Sequence, residues 1–205
     1  MKIEELINNI QSALGNELPG ERSQRSMRAT PKKRIHYESN RENAIPAAVL
    51  ILFYHKNGHN YFILTERTHA VDTHKGQISL PGGSREDGED LHFTAMRETE
   101  EEIGIPVKDI NLIGAMSPLY VPVSGFIIHP FVGWLDEEPE YVINVDEVES
   151  VFSVSLDDLL DDEKVKQEEW NLYGMPIDVP YFYFHHFKVW GATAMMLSEL
   201  KDILK

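Results

Sequence analysis

The sequence contains no cysteine, which excludes a disulfide framework, a thiolate metal site and a cysteine nucleophile. It also contains no apolar stretch long enough to span a bilayer, and its N-terminus lacks the apolar run of a signal peptide. We therefore expect a cytoplasmic protein without a membrane partner. Basic residues are scarce, since 19 Lys and Arg against 34 Asp and Glu give a formal net charge of -15. That balance argues against broad nucleic-acid binding, which needs a basic surface.

The basic residues are concentrated near the N-terminus. Residues 21–41 hold seven Lys or Arg and two Glu, a local charge of +5. Two interpretations stay open, a flexible solvated connector or a surface that meets an anionic substrate. Apolar residues at helical spacing predict a helix over residues 3–14. We predict that residues 1–44 form this helix and a basic connector, packed on one domain of residues 45–205.

Hydrophobic patterning predicts both strands and helices in that domain. The continuous apolar run at 47–54 is typical of a buried strand, and the turn at 55–58 returns the chain into a second strand at 61–65. Further strands are predicted at 110–118, 126–134 and 181–186, and a terminal helix begins near residue 191. The acidic run at 157–169 is expected to be solvated surface.

The most informative stretch covers residues 82–105, which are acidic and bracketed by glycines. The pattern predicts a loop followed by a helix from about Asp90 to a C-capping Gly104. Within that helix Glu98, Glu101 and Glu102 are spaced i, i+3, i+4, so their carboxylates project from one side. Crowded carboxylates repel one another unless a cation lies among them, and oxygen ligands favour Mg²⁺ or Mn²⁺. An ordinary solvated Glu-rich helix is the alternative.

This stretch resembles the Nudix box, a spaced pattern of glycines, glutamates and one arginine. The matching positions are Gly83, Glu89, Arg97, Glu98, Glu101, Glu102, Gly104 and Ile105. Thr99 departs from the pattern at an apolar packing position, which leaves the metal site unaffected. The resemblance implies an α/β/α sandwich with a mixed β-sheet and an enzyme that hydrolyses a diphosphate bond with Mg²⁺ or Mn²⁺. It also implies metal ligands at Glu98, Glu101, Glu102 and the backbone carbonyl of Gly83.

The remaining catalytic roles follow from the same resemblance. Arg97 is expected to orient a glutamate, and it lies four residues before Glu101, whose carboxylate it can brace. The general base is expected to be Glu101 or a distal acid, for which Glu147 is the first candidate and Glu149 the second. Both distal residues are also explained as ordinary surface acids. Glu89 is expected to fix the loop rather than to bind metal.

A second resemblance points to the substrate. Residues 63–68 (ILTERT), Gly76 and residues 80–83 (LPGG) resemble the signature that precedes the box in coenzyme A pyrophosphatases. Asp72 and Leu80 stand where that subfamily has Arg and Phe. The resemblance implies cleavage of coenzyme A to 4′-phosphopantetheine and adenosine 3′,5′-bisphosphate.

The substrate is thus expected to be a small molecule whose phosphates contact Arg67, Lys75 and residues 25–34, and a homodimer is possible. The alternatives are a Nudix enzyme acting on ADP-ribose, a dinucleotide or a nucleoside triphosphate, a non-catalytic Nudix module, and a plain acidic interaction domain.

Overall fold

The computed structural model describes residues 2–32, 40–68, 76–172 and 174–205. Five α-helices and twelve strands follow one another along these residues: α1 Ile3–Leu14, α2 Glu21–Gln24, β1 Thr30–Pro31, β2 Ile45–Lys56, β3 His59–Arg67, β4 Ile78–Ser79, β5 Gly82–Ser84, α3 Leu91–Ile103, β6 Asn111–Ala115, β7 Leu119–Val121, β8 Phe126–Trp134, β9 Val148–Ser155, α4 Leu156–Leu160, β10 Val165–Leu172, β11 Met175–Phe184, β12 Phe187–Trp190 and α5 Gly191–Leu204. Short 3₁₀ helices cover Arg25–Met27, Arg41–Asn43, Val107–Asp109 and Asp162–Lys164. No described helix combines the length and the apolar character needed to cross a membrane.

The main sheet is mixed and has eight strands. Its path runs β4-β3-β2-β8-β6, while β5 pairs with β2, β7 with β8 and β9 with β3. Strands β2 and β8 are parallel, whereas the other pairs are antiparallel. The apolar run of β2 has a simple cause, because the sheet is covered on both faces. Leu50 and Leu52 face one hydrophobic cluster, and Ile51 and Phe53 face the other.

Helices cover the two faces of this sheet. On one face α3 contributes Ala95, Met96 and Ile103 to a cluster with alternate residues of β2. On the other face α1 and α5 contribute residues such as Leu6 and Leu197 to the larger cluster. The arrangement is the α/β/α sandwich with a mixed sheet that the box implied.

A second, four-stranded antiparallel sheet has the order β1-β11-β10, with β12 also paired to β11. The sequence pattern missed β10, which begins inside the acidic run at 157–169. Most side chains of this strand are exposed, so the alternation of buried and exposed residues that marks a half-buried strand is absent. Its eight residues are strand because they pair in register with β11, from Val165↔Phe182 to Leu172↔Met175.

The described part of the basic connector is folded against α5. Ser23, Gln24 and Met27 are buried. The Gln24 side chain donates to a fully buried carboxylate, Glu199, over 2.9 Å, and the Gly20 N–H donates to the same carboxylate over 3.2 Å. Because a buried carboxylate needs hydrogen-bond donors, this contact ties the residues before β1 to the C-terminal helix.

Candidate active site

The two glycines after Pro81 allow the chain to pass closely between β2 and α3. Gly82 has φ 150°, and a side chain there would collide with the backbone of β2, since an added Cβ would lie 2.6 Å from Val49 Cα. At Gly83 an added Cβ would lie 2.5 Å from the carboxyl carbon of Glu98. Glycine at both positions therefore brings the loop backbone into direct contact with a glutamate of α3.

Helix α3 carries the glutamates and ends as its sequence predicts. It spans Leu91–Ile103, and Gly104 follows in the left-handed conformation with φ 75° and donates its N–H to the Glu100 carbonyl over 2.9 Å. An added Cβ at Gly104 would lie 2.6 Å from Val142 Cβ. The capping glycine thus also permits the loop before β9 to pack on the end of the helix.

Of the three glutamates predicted to bind metal, Glu98 and Glu102 lie against the glycine loop and are partly or fully shielded from water. Glu102 is 3% exposed, and burial raises the pKa of its carboxyl to about 8, although Arg67 and the Gly82 N–H, 3.3 Å away, favour the charged form. Burial also raises the pKa of Glu98, against the effect of Arg97, and the charges of Glu101 and Glu147 raise it further. Burial is thus the main cause of both raised pKa values, and neighbouring acidic side chains add to it.

Arg97 binds three carboxylates at once. Its guanidinium lies 2.8 Å from Glu89, 2.8 Å from Glu98 and 2.8 Å from Glu101. It also donates to the Ser84 carbonyl over 3.3 Å. Glu101, whose side chain is 54% exposed, turns to Arg97 at the edge of the site, whereas Glu98 and Glu102 lie inside.

Glu89 holds the loop ahead of α3. Its carboxylate accepts hydrogen bonds from Arg97, from the Thr94 hydroxyl at 2.7 Å and from the Glu86 N–H at 3.2 Å. The bond from Arg97 is the main reason that the pKa of Glu89 falls to about 2. This carboxylate is charged and already paired, so it contributes to loop geometry and to the position of Arg97.

Glu147 reaches the same region from a distant part of the chain. Its charge acts on both Glu98 and Glu102 and contributes to their raised pKa values. Its carbonyl accepts the Thr68 N–H over 3.0 Å, which ties the turn before β9 to the end of β3. The second candidate, Glu149, is exposed. Glu147 was already the first candidate from the sequence, and its role as a base stays a prediction.

The predicted phosphate contacts fall into three groups. Arg67 is the last residue of β3, and its charge acts on Glu102. Among the described residues, its Nε is a buried side-chain nitrogen without a hydrogen-bond partner. Lys75, like Lys33 and Arg34, lies outside the described ranges. Arg25 pairs with Glu21 at 2.7 Å, and Lys32 pairs with Glu169 and, at 3.8 Å, with Asp178. Arg25 and Lys32 therefore already have acidic partners.

One residue of the site has only a weak signal in the sequence. Asn144 starts the turn that carries Glu147 and hydrogen bonds to its carboxylate over 3.3 Å. Asn at the first position of a turn is common, so residue type alone did not mark it. Across the parts of the chain that the structure describes, no three acidic or histidine side chains are grouped closely enough to form a ready-made metal site.

Comparison with known proteins adds the family. A NUDIX domain model matches residues 44–173. Nudix hydrolase 15, mitochondrial, of Arabidopsis thaliana is 35% identical over 165 residues, which are 77% of this chain and 58% of that protein. Nudix hydrolase 3 of Caenorhabditis elegans is 29% identical over 195 residues, 87% of this chain and 80% of that protein. The uncharacterized Nudix hydrolase NudL of Cronobacter sakazakii is 32% identical over 139 residues, 67% of this chain and 72% of that protein.

A solved structure agrees on the fold. The Nudix hydrolase RenU from M. smegmatis superimposes with a TM-score of 0.56 at 15% identity, covering 86% of this chain and 92% of that one. The residues matched by the NUDIX domain model, 44–173, contain the glycine loop, α3 and Glu147. The chain therefore belongs to the Nudix family and is a hydrolase that acts on diphosphate bonds of nucleoside diphosphate derivatives.

Proposed function

We propose that this protein hydrolyses coenzyme A or its acyl derivatives to 4′-phosphopantetheine, or its acyl form, and adenosine 3′,5′-bisphosphate. The observation that carries the proposal is the position of Arg67. Residues 63–67 of the ILTERT stretch form the end of β3. The charge of Arg67 acts on the box glutamate Glu102, and its buried Nε has no hydrogen-bond partner within the described ranges. A guanidinium in that position suits a substrate phosphate.

The donor set fits Mg²⁺ or Mn²⁺. Glu98, Glu102 and the carbonyl of Gly83 offer hard oxygen ligands. Burial, with a smaller contribution from neighbouring acids, raises the pKa values of both carboxyls, and a bound cation would favour their charged forms. Glu101 would complete the set of ligands if its carboxylate exchanged its contact with Arg97 for the cation. When bound, such a cation polarises phosphoryl oxygens and lowers the pKa of a water. It also offsets the repulsion between an anionic substrate and a protein of charge -15.

Glu147 is the better candidate for the general base. Glu101 is half-exposed and bound to Arg97, whereas the charge of Glu147 acts on Glu98 and Glu102 and its carboxylate accepts a hydrogen bond from Asn144. In the proposed step Glu147 accepts a proton from water as the water oxygen attacks one phosphorus. The bond from that phosphorus to the bridging oxygen breaks, and its electron pair leaves with the departing phosphate. Arg97 keeps Glu98 in place throughout.

The substrate's further phosphates require additional positive charge. Arg67 and Lys75 are the proposed contacts, with residues 25–34 as a further source of charge. Replacing Lys32, Lys33 and Arg34 together by Ala should raise KM more than it lowers kcat if this segment contacts the substrate. An unchanged KM would remove the segment from the site. The cytoplasmic location and the possible homodimer remain predictions, the latter open to sedimentation analysis.

Product analysis tests the proposed function. Purified protein with Mg²⁺ or Mn²⁺ is incubated with coenzyme A, ADP-ribose, a dinucleotide and a nucleoside triphosphate, and the products are identified by mass spectrometry. Coenzyme A should give the two products named above with the highest kcat/KM. A higher kcat/KM for another substrate would contradict the proposed coenzyme A specificity. Asp72 and Leu80, which differ from the coenzyme A pyrophosphatase signature, are consistent with such an outcome.

Variants on one helix provide the matched control. Glu98→Gln removes a proposed metal ligand and should lower kcat by about 10²-fold or more, as expected for loss of a charge that stabilises the transition state. Glu100→Gln changes an exposed glutamate of the same helix, two residues away, and should leave kcat unchanged. Equal activity of the two variants would exclude the proposed metal mechanism.

A further inference from the structure

The turn that carries Glu147 is built around a single asparagine. Residues 144–147 (NVDE) precede β9, and Asn144 uses all its backbone and side-chain polar groups within and beside the turn. Its carbonyl accepts the N–H of Glu147 at 3.1 Å and of Val148 at 2.9 Å. Its Oδ1 accepts the Asp146 N–H at 3.2 Å, which closes an Asx turn.

The same residue connects this turn to the box helix. The N–H of Asn144 donates to the carbonyl oxygen of Glu102 over 3.0 Å, and the N–H of Val142 donates to the carbonyl of Ile103 over 3.0 Å. These bonds satisfy carbonyls at the C-terminal end of α3, which have no partner within the helix. The turn is therefore hydrogen-bonded to the helix segment that carries Glu102.

The Asn144 side chain also contacts the carboxylate that the proposed reaction uses. Its Nδ2 donates to Glu147 Oε1 over 3.3 Å, while the Thr68 N–H holds the Glu147 backbone carbonyl at 3.0 Å. Glu147 is thus held at both its backbone and its carboxylate. The negative charges of Glu147 and Glu98 repel each other, and the bond from Asn144 opposes a movement of the Glu147 carboxylate away from the box helix.

From this geometry we infer that Asn144 is a positioning residue for the hydrolysis, which locks the Glu147 carboxylate over the box helix and sets its distance from Glu98 and Glu102. The inference rests on the proposed role of Glu147. It assigns to Asn144 no contact with substrate or metal. Partners that orient a catalytic or ligating group typically change activity 10- to 100-fold when removed.

Two substitutions separate the roles of the side chain. Asn144→Asp keeps the Oδ1 acceptor of the Asx turn but replaces the donor to Glu147 by a second carboxylate. If Asn144 only shapes the turn, this variant should match the wild type. If Asn144 positions Glu147, kcat should fall about tenfold or more at nearly constant KM, and Asn144→Ala should fall similarly.

A double-mutant cycle shows whether the effect passes through Glu147. Glu147→Gln alone should lower kcat, and adding Asn144→Ala to it should cost little more, because the group being positioned is already lost. Multiplicative effects of the two changes would overturn the inference. Wild-type kcat in Glu147→Gln would instead contradict the proposed role of Glu147, so the two failures are distinguishable.

Stability is controlled with a second capping residue. Ser155 caps α4 by accepting the Asp158 N–H at 3.0 Å, and it lies at the far end of β9. Ser155→Ala should lower thermal stability about as much as Asn144→Ala while kcat stays at the wild-type value. If Ser155→Ala lowers kcat as much as Asn144→Ala, the effect of Asn144 reflects general destabilisation and the inference fails.

Discussion

The contact between Glu89 and Arg97 supports a quantitative prediction for Glu89→Gln. The Glu89 side chain is 10% exposed and accepts two bonds from the Arg97 guanidinium, at 2.8 Å from Nε and 3.2 Å from Nη2. Gln keeps the size of the side chain but removes its charge. Its amide NH2 group is a donor, so it cannot accept one of the hydrogen bonds that Arg97 donates to Glu89. The variant should therefore lose stability, and the position of Arg97 should become less well defined.

The magnitude follows from the lowered pKa. Hydrogen bonds from Arg97 are the main reason that the carboxyl's pKa falls from 4.5 to about 2. Because a tenfold change in proton affinity is worth about 1.4 kcal/mol, the ceiling is about 3 kcal/mol. Solvent near the loop reduces this figure, so we expect a loss of about 2 kcal/mol at pH 7. The stabilisation is complete above the unfolded-state pKa of about 4.5 and is lost as pH falls towards 2.

Urea unfolding at several pH values measures this loss. The free-energy difference between wild type and Glu89→Gln should be greatest at pH 7 and should shrink to about half by pH 3.5. Glu21→Gln is the control, because Glu21 forms an exposed pair with Arg25 and should cost at most about 0.5 kcal/mol. If Glu89→Gln costs no more than this control, or if its cost does not change with pH, the reasoning is wrong.

Three further changes test other parts of the structure. Gly83→Ala should lower kcat at least tenfold because the added Cβ displaces the Glu98 carboxylate. Gly15→Ala is the control and should leave kcat unchanged, because the atom nearest to its added Cβ is the Ser12 carbonyl oxygen at 3.6 Å. Equal kcat values for the two variants would contradict the close contact at Gly83. Leu6→Ala should cost about 2–5 kcal/mol in urea unfolding because Leu6 is fully buried in the main core, and a cost below about 1 kcal/mol would contradict that placement. Glu102→Gln in chelator at pH 8 should melt at a higher temperature than wild type, because the buried carboxyl resists ionisation until about pH 8. That difference should vanish below about pH 4.5, where the acid is neutral in both folded and unfolded chains, and a less stable variant at pH 8 would contradict the burial argument.

Predictions from the sequence agree closely with the structure where the hydrophobic pattern and the end signals of an element are strong. The helix predicted at residues 3–14 is Ile3–Leu14, and the strand predicted at 126–134 is Phe126–Trp134. Gly104 ends α3 and Gly191 begins α5, as their positions in the pattern indicate. Such elements can be predicted because periodicity and end signals lie within a few residues of one another.

Elements and contacts that depend on distant partners were harder to predict. Strand β10 exists because β11 pairs with it, although its own side chains are almost all exposed. The connector's fold depends on Glu199, which is 175 residues from Gln24. Neither the strand nor the connector could be predicted from its own residues, because the partner that stabilises it lies elsewhere in the chain.

By itself the sequence determined the family, the box helix and the three glutamates that this helix presents. Tertiary structure decided how those glutamates differ. Glu102 is buried against the glycine loop and Glu98 contacts Gly83, whereas the pairing of exposed Glu101 with Arg97 follows from their spacing within the helix. Tertiary structure also decided that the turn at 144–147 lies on the end of the helix. The physical reason is that a carboxylate's charge state and orientation depend on burial and on neighbouring charges, and both are set by segments far away in the chain.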